Sequence, residues 1–190
     1  VRRLDATGAA RSLTGPVVAP TRGHDLALTL DAQLQAIAEA TLDDAIEATA
    51  AEGGDLLIVE PATGDLLALV SRRPGRPRSL AAVTEPYEPG STLKPFVAAA
   101  LLAEGTARLD DVVEVEGGRI RVAGRVIRDD HPPESDRLTL REVLRWSSNV
   151  GMVKLAQRLE PQVQYAYLRD FGFGTPTGVA LPAESPGLLR

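Results

Sequence analysis

A hydroxyl and an amine stand three residues apart in the stretch EPYEPGSTLKPF, residues 85–96, as Ser91 and Lys94. A serine hydroxyl becomes a competent nucleophile only when a neighbouring group takes its proton. Three residues is close to one helical turn, so a helix starting near Ser91 sets both side chains on one face and within reach of each other. The same start places Ser91 at the positive end of the helix, where unpaired backbone N–H groups can hold a developing oxyanion. Pro95 is tolerated there, because first-turn amides have no intrahelical partner. The chemistry that this arrangement suits is attack by an activated serine.

The choice of lysine is informative. Lys94 and Lys154 are the only lysines, and every other basic residue is arginine. A guanidinium stays protonated, whereas a desolvated lysine amine can fall to a lower pKa and accept a proton. Histidine is the poorer base here: His24 precedes a predicted strand far from Ser91, and His131 is followed by Pro132. A structural reading of the pair also exists, with Ser91 as an N-cap and Lys94 as a surface cation whose stem covers part of the helix.

A second group changes the balance between these readings. RWSSNVGMVKLA, residues 145–156, places Ser147 and Asn149 between two predicted helices, where a short linker can aim both side chains into a cleft. In isolation the pair is equally a helix cap and a turn residue. Beside an activated serine, the hydroxyl can relay a proton to a leaving nitrogen and the amide can hold the lysine and the substrate.

Composition sets the outer limits. At 190 residues, 44% hydrophobic and 25% charged, the chain suits one ordinary globular domain or part of a larger one. Its net charge of −5 offers no basic footprint for nucleic acid. With no cysteine and two histidines, neither thiolate chemistry nor a histidine-rich or cysteine metal site is expected. No cofactor is implied. No stretch approaches the roughly 20 apolar residues of a membrane span. The chain begins at Val1 with no visible signal peptide and reads as an excised segment.

The elements that must position these residues are read from periodicity and punctuation. Residues 1–23 read as an extended lead-in, and 24–190 as the folded portion. Residues 25–30 alternate as a short strand. Asp31 caps a helix that Gly53 and Gly54 stop, and apolar runs at 56–59 and 66–70 flank the turn Pro61-Ala62-Thr63-Gly64 as a hairpin. The near-continuity of these runs suggests strands covered on both faces. Residues 71–79 read as an exposed connection, 92–103 as a buried helix closed by Gly105, and 112–128 as a meander with little core of its own. Thr139 and Glu142 form a capping box for a helix reaching Trp146. Further helices are predicted over 149–159 and 161–170, the latter stopped at Gly172, before a turn-rich tail.

With both motifs in view, the chain resembles the transpeptidase domain of the class B penicillin-binding proteins. The Ser-x-x-Lys motif is Ser91 to Lys94 in EPGSTLKPF, and the Ser-x-Asn motif is Ser147 to Asn149 in SSNVGM. LTLDAQLQAIAEATL, EPATGDLLALV and FGFGTPTGVALPAES are similar to stretches of the same family, so the resemblance runs from about His24 onward. It implies an α+β fold, a penicillin-binding protein/serine β-lactamase-like antiparallel sheet covered by helices, plus a helical lobe. It also implies a peptidoglycan D,D-transpeptidase, in which Ser91 takes the acyl group from a stem peptide, Lys94 deprotonates Ser91, Ser147 relays protons, and Asn149 orients Lys94 and the substrate. Tyr87 and Thr92 are the expected substrate-binding residues. The implied ligands are peptidoglycan stem peptides and β-lactams, and the implied partners are other cell-wall synthesis proteins. The implied location is the outer side of the bacterial cell membrane, with tethering by an upstream helix.

One departure stands out. The family's third motif, Lys-Thr-Gly or Lys-Ser-Gly, is not found: Thr-Gly occurs at Thr7, Thr14, Thr63 and Thr177, never after a basic residue. The expectation is therefore an incomplete transpeptidase fold lacking the C-terminal strands, with an uncovered apolar face and an open strand edge on the hairpin. Two rival readings follow, a non-catalytic or truncated penicillin-binding scaffold and a serine β-lactamase or β-lactam sensor. Glu184 in the tail is not assigned as a deacylating carboxylate. Trp146 is read as a packing anchor, His131 as a turn residue, Lys154 as a solvated lysine, and Phe171 and Phe173 as core plugs.

Overall fold

The computed structural model describes residues 2–4, 7, 10–12, 21–76 and 79–189. Within the expected lead-in, β1 (Arg2–Leu4) and β2 (Ala10–Ser12) pair antiparallel, so part of that segment is a small hairpin. Residues 1, 5–6, 8–9 and 13–20 of the lead-in lie outside the described residues.

Asp31 starts helix α1 (Ala32–Thr49) as its sequence suggests, accepting the N–H groups of Gln33 and Leu34 at 2.8 and 2.9 Å. The helix stops at Ala50, whose φ of 51° is left-handed, a few residues before the two glycines. It packs on the hairpin of β3 (Gly54–Val59) and β4 (Leu66–Arg72), burying Ala38, Leu42, Ala68 and Val70. The expected strand over 25–30 is absent. That segment is irregular and tied to β4 by Thr29 Oγ1 donating to the Leu66 carbonyl at 2.6 Å and by the Asp31 N–H donating to that of Leu67.

The hairpin is not covered on both faces. Leu56 and Ile58 meet α1, while Leu57 and Val59 on the opposite face are 43% and 45% exposed. Leu28, Leu30, Val83 and Val179 complete an open apolar cleft of about 860 Å³ on that side. No sheet among the described residues has more than two strands. The continuous apolar pattern therefore reflects a face for which the chain supplies only partial cover.

The expected connection over 71–79 is also less exposed than its sequence suggests, and its first two residues belong to β4. Ser71 is buried and its Oγ accepts the Ala82 N–H, which opens the short helix α2 (Ala81–Thr84). Arg73 pairs with Asp55 of β3 and with Glu85, and Arg76 joins Glu85 as well. This cluster ties the hairpin to the segment leading into Ser91.

A 3-10 turn over Gly90–Leu93 precedes helix α3 (Lys94–Ala103), so the helix proper begins at Lys94 and not at Ser91 or Thr92. Gly90 has a φ of 57°, which favours glycine, and the Thr92 N–H bonds back to the Pro89 carbonyl to tighten the turn. Further on come β5 (Val112–Glu114), β6 (Arg119–Val122), β7 (Arg125–Arg128) and β8 (Arg137–Thr139). The expected meander is in fact two separate pairs, β6 with β7 and β5 with the distant β8. It contributes Val113, Val115 and Ile120 to the main core.

The capping box of Thr139 and Glu142 opens α4 (Leu140–Arg145) as read from sequence. Helix α5 (Asn149–Ala156) is shorter than expected, with Leu159 buried in the turn beyond it, and α6 (Pro161–Asp170) has the expected bounds. Leu101, Val115, Leu140, Val143, Val150 and Leu155 are fully buried where α3, α4 and α5 meet the small strands. Among the described residues there are thus two apolar clusters, a large one in this helical lobe and a small one under α1.

Candidate active site

The chain brings Lys94 and Ser147 together from elements 53 residues apart. Lys94, the first residue of α3, is only 9% exposed. Its Nζ donates to the Ser147 carbonyl at 2.5 Å and to Ser147 Oγ at 3.0 Å. Burial holds the amine below the ordinary lysine pKa, while the negative charges of Asp129 and Asp130 act in the opposite sense. A buried amine with this balance can exist as the free base more readily than a surface lysine.

Ser91 occupies the 3-10 turn and is exposed, and its carbonyl accepts the Lys94 N–H. Among the described residues its hydroxyl makes no hydrogen bond, with Lys94 or any other group, so one turn separates the Ser91 hydroxyl and the Lys94 amine without a direct link. The Thr92 hydroxyl is engaged, donating to the Pro89 carbonyl at 2.5 Å. Tyr87 is 83% exposed.

Ser147 forms the corner between α4 and α5. Its φ of 54° is left-handed, an uncommon conformation for a non-glycine residue that costs of order 1–3 kcal/mol. Asn149 is the first residue of α5, and its carboxamide donates to the Arg128 carbonyl at 2.8 Å. The amide is thereby tied to the end of β7, a contact absent from the sequence expectation that Asn149 orients Lys94 and the substrate.

Two residues that sequence reasoning passed over hold this corner. Ser148, 2% exposed, caps α5 by accepting the Gly151 N–H at 2.9 Å and donates to Asp129 Oδ2 at 2.8 Å. Asp129 Oδ1 accepts the N–H groups of Asn149 and Val150 at 2.6 and 2.9 Å. An anion at the start of a helix is favoured by its unpaired amides and by the helix dipole. Ser148 had a local signal, a serine one residue before an apolar helix. Asp129 had none, since its role depends on β7 meeting α5.

Of the remaining sequence readings, some need adjustment and others stand. Trp146 is 54% exposed, with the Arg145 guanidinium over its ring at 4.9 Å, so it does not anchor the core. Lys154 is paired with Glu116. Phe171 and Phe173 meet Phe96 edge-on at 5.0 Å, but Phe171 remains 48% exposed. His131 is an exposed bend residue, and Glu184 is used within the tail, accepting the Thr177 and Gly178 N–H groups. No group of three or more metal-ligating side chains occurs among the described residues, and no helix there is long and apolar enough to cross a membrane.

A helical lobe beside a helix-backed antiparallel hairpin, with Ser-x-x-Lys at one helix start and Ser-x-Asn at the neighbouring corner, is an α+β architecture shared with transpeptidase domains. The transpeptidase domain of a penicillin-binding protein 3 from Burkholderia pseudomallei superposes with a TM-score of 0.77 at 29% identity, over 90% of this chain and 49% of that one. A structure described as a peptidoglycan glycosyltransferase from Burkholderia ambifaria gives the same TM-score at 32% identity, over 86% and 50%. Residues 54–190 match the penicillin binding protein transpeptidase domain, and the chain belongs to that family.

Its relatives include the probable peptidoglycan D,D-transpeptidase PenA of Neisseria gonorrhoeae, 34% identical over 90% of this chain and 31% of the relative. The peptidoglycan D,D-transpeptidase FtsI of Escherichia coli is 34% identical over 87% and 29%. The penicillin-binding protein PbpB of Mycobacterium tuberculosis is 32% identical over 88% and 26%. The chain thus spans about a third of the length of these relatives or less, and about half of the solved structures.

Proposed function

We propose that this chain carries the nucleophile-bearing part of a peptidoglycan D,D-transpeptidase, with residues 24–190 as the transpeptidase portion and 1–23 as its lead-in. The observation that supports the reading best is the Lys94 amine, buried, lowered in pKa and held by Ser147, one turn from Ser91. In this scheme Ser91 Oγ attacks the carbonyl of the penultimate D-alanine of a stem peptide. Its proton goes to neutral Lys94, and the bond to the terminal D-alanine breaks as Ser147 relays a proton to the leaving nitrogen. The amine of a second strand then attacks the serine ester, forms the cross-link and frees Ser91. β-Lactams acylate Ser91 in place of the donor.

Asn149 orients substrate from the end of β7, and Tyr87 and Thr92 line the approach. No cofactor is required. The carboxylate-binding Lys-Thr-Gly strand of the family does not occur in these residues, and the open hairpin is where further strands of a whole transpeptidase domain would continue the sheet. The whole protein acts on the outer side of the bacterial cell membrane, tethered by a helix outside these residues and working with other cell-wall synthesis proteins.

The test is intact mass after incubation with a penicillin, followed by peptide mapping. A stable adduct on Ser91, abolished by Ser91→Ala, is expected. A folded chain that forms no adduct would reduce this segment to a scaffold, and rapid turnover in place of an adduct would make it a β-lactamase.

A further inference from the structure

The hairpin of β6 and β7 carries an arrangement that stability does not explain. Its alternation sends Ile120, Val122 and Ile127 toward the core and leaves Arg119, Arg121 and Arg128 on the outer face. Arg119 lies directly opposite Arg128 in the register, and Arg121 lies opposite Val126. Directly opposed strand residues have Cβ atoms about 4.5–5.5 Å apart, and like charges there repel. None of the three makes an ion pair among the described residues; the one hydrogen bond from these side chains joins Arg121 to the Gly124 carbonyl. Some arginines elsewhere are paired with carboxylates, as in Arg72 with Asp43, Arg73 with Asp55 and Glu85, and Arg158 with Asp111. In a chain of net charge −5, this is a local cationic face.

Its position gives it a use. β7 runs directly into the candidate site: the Arg128 carbonyl holds the Asn149 side chain, and the next residue, Asp129, holds Ser148 and the start of α5. We infer that Arg119, Arg121 and Arg128 form a binding face for the carboxylates of a peptide-bearing glycan strand lying alongside the Ser147–Asn149 corner. Guanidinium forks match carboxylates bidentately, and bound carboxylates would relieve the repulsion between Arg119 and Arg128. The inference rests on the proposed activity for its choice of ligand, since the strands on which a D,D-transpeptidase acts are rich in free carboxylates.

The experiment compares this chain with the triple variant Arg119→Gln, Arg121→Gln, Arg128→Gln. Binding of soluble peptidoglycan strands, with carboxylates free or converted to amides, is measured by thermophoresis at low and moderate salt, with thermal midpoints confirming that both proteins are folded. The expected result is a loss of tenfold or more in affinity for the free-carboxylate strands at low salt, a weaker salt dependence in the variant, and no difference between the proteins on amidated strands. Binding of free-carboxylate strands by the variant within twofold of the unsubstituted chain would overturn the inference, as would no binding by either. An equal loss on amidated strands, or displacement by anionic lipid vesicles but not by carboxylate strands, would overturn it too. Penicillin acylation of the unsubstituted chain is scored separately, so that failure of the proposed activity is distinguished from failure of the arginine face.

Discussion

Replacing Gly151 by alanine tests how closely α4 and α5 must approach to form the Ser147–Asn149 corner. A Cβ at position 151 would lie 2.5 Å from Val143 Cγ2, 3.2 Å from Val143 Cγ1 and 3.2 Å from Ser148 Oγ. Val143 is fully buried in the main core and has little room to retreat. Overpacking costs about 1–3 kcal/mol, and a 2.5 Å approach to a side chain that cannot retreat belongs in the upper part of that range, about 2–3 kcal/mol, against which alanine gains about 1 kcal/mol over glycine in a helix. The net expectation is a loss of about 1–2 kcal/mol. In a chain of this size that lowers the melting temperature by about 2–8 °C, as followed by circular dichroism.

Because the added methyl also presses on Ser148 Oγ, penicillin acylation of Gly151→Ala should slow along with the loss of stability. Val143→Ala should make room for the methyl, so that the double variant loses less than the sum of the single losses by at least about 0.5 kcal/mol. A melting temperature within 1 °C of the parent, or strictly additive losses, would refute the claim that this contact sets the helix spacing.

Four further predictions concern the amine and the corner beside it. Lys94→Met should lower the penicillin acylation rate about 10²–10⁴-fold while the chain stays folded by circular dichroism. In the unsubstituted chain the rate should rise with pH at a midpoint below that of an ordinary lysine, and Asp130→Asn, which removes a charge favouring the protonated amine, should move the midpoint lower; an unchanged or raised midpoint would count against Lys94 as the base. Since the amine binds its proton less tightly folded than unfolded, stability should climb as pH rises from its folded pKa toward about 10.4, and that climb should be missing in Lys94→Met. Asp129→Ala, which strips partners from Ser148 Oγ and from the Asn149 and Val150 N–H groups, should cost about 2–4 kcal/mol in urea unfolding, and a loss below about 1 kcal/mol would show that water replaces the carboxylate freely.

What could be read from sequence was mostly local. Asp31 before a periodic run, the Thr139–Glu142 capping box and Pro161 at a helix start each act within one turn, and each element formed where expected. The motif spacing likewise placed Ser91 and Lys94 one turn apart. The features that escaped depend on distant segments. β5 pairs with β8 across more than 20 residues, a choice that neither strand's own pattern encodes. Residues 25–30 alternate like a strand, yet Leu26 and Leu28 are 83% and 64% exposed, facing no partner that would turn alternation into a ladder. Asp129 is one of two adjacent aspartates in a loop until β7 and α5 converge, and the bond from Asn149 to the Arg128 carbonyl depends on the same convergence.

The left-handed backbone at Ser147 narrows what that position can accept. By twisting the corner, it turns the main-chain carbonyl and the side-chain hydroxyl of a single residue toward the same amine, so that Ser147 grips Lys94 as a two-toothed clamp. Glycine would adopt the twist with ease but has no second tooth. Threonine has the hydroxyl, but its branched Cβ resists a positive φ. Asparagine and aspartate tolerate the twist but present a longer, planar head in place of the hydroxyl that accepts from Lys94. Serine is the compromise at which a strained backbone and a short hydroxyl acceptor coexist, and position 147 is accordingly more restricted than either requirement alone would make it.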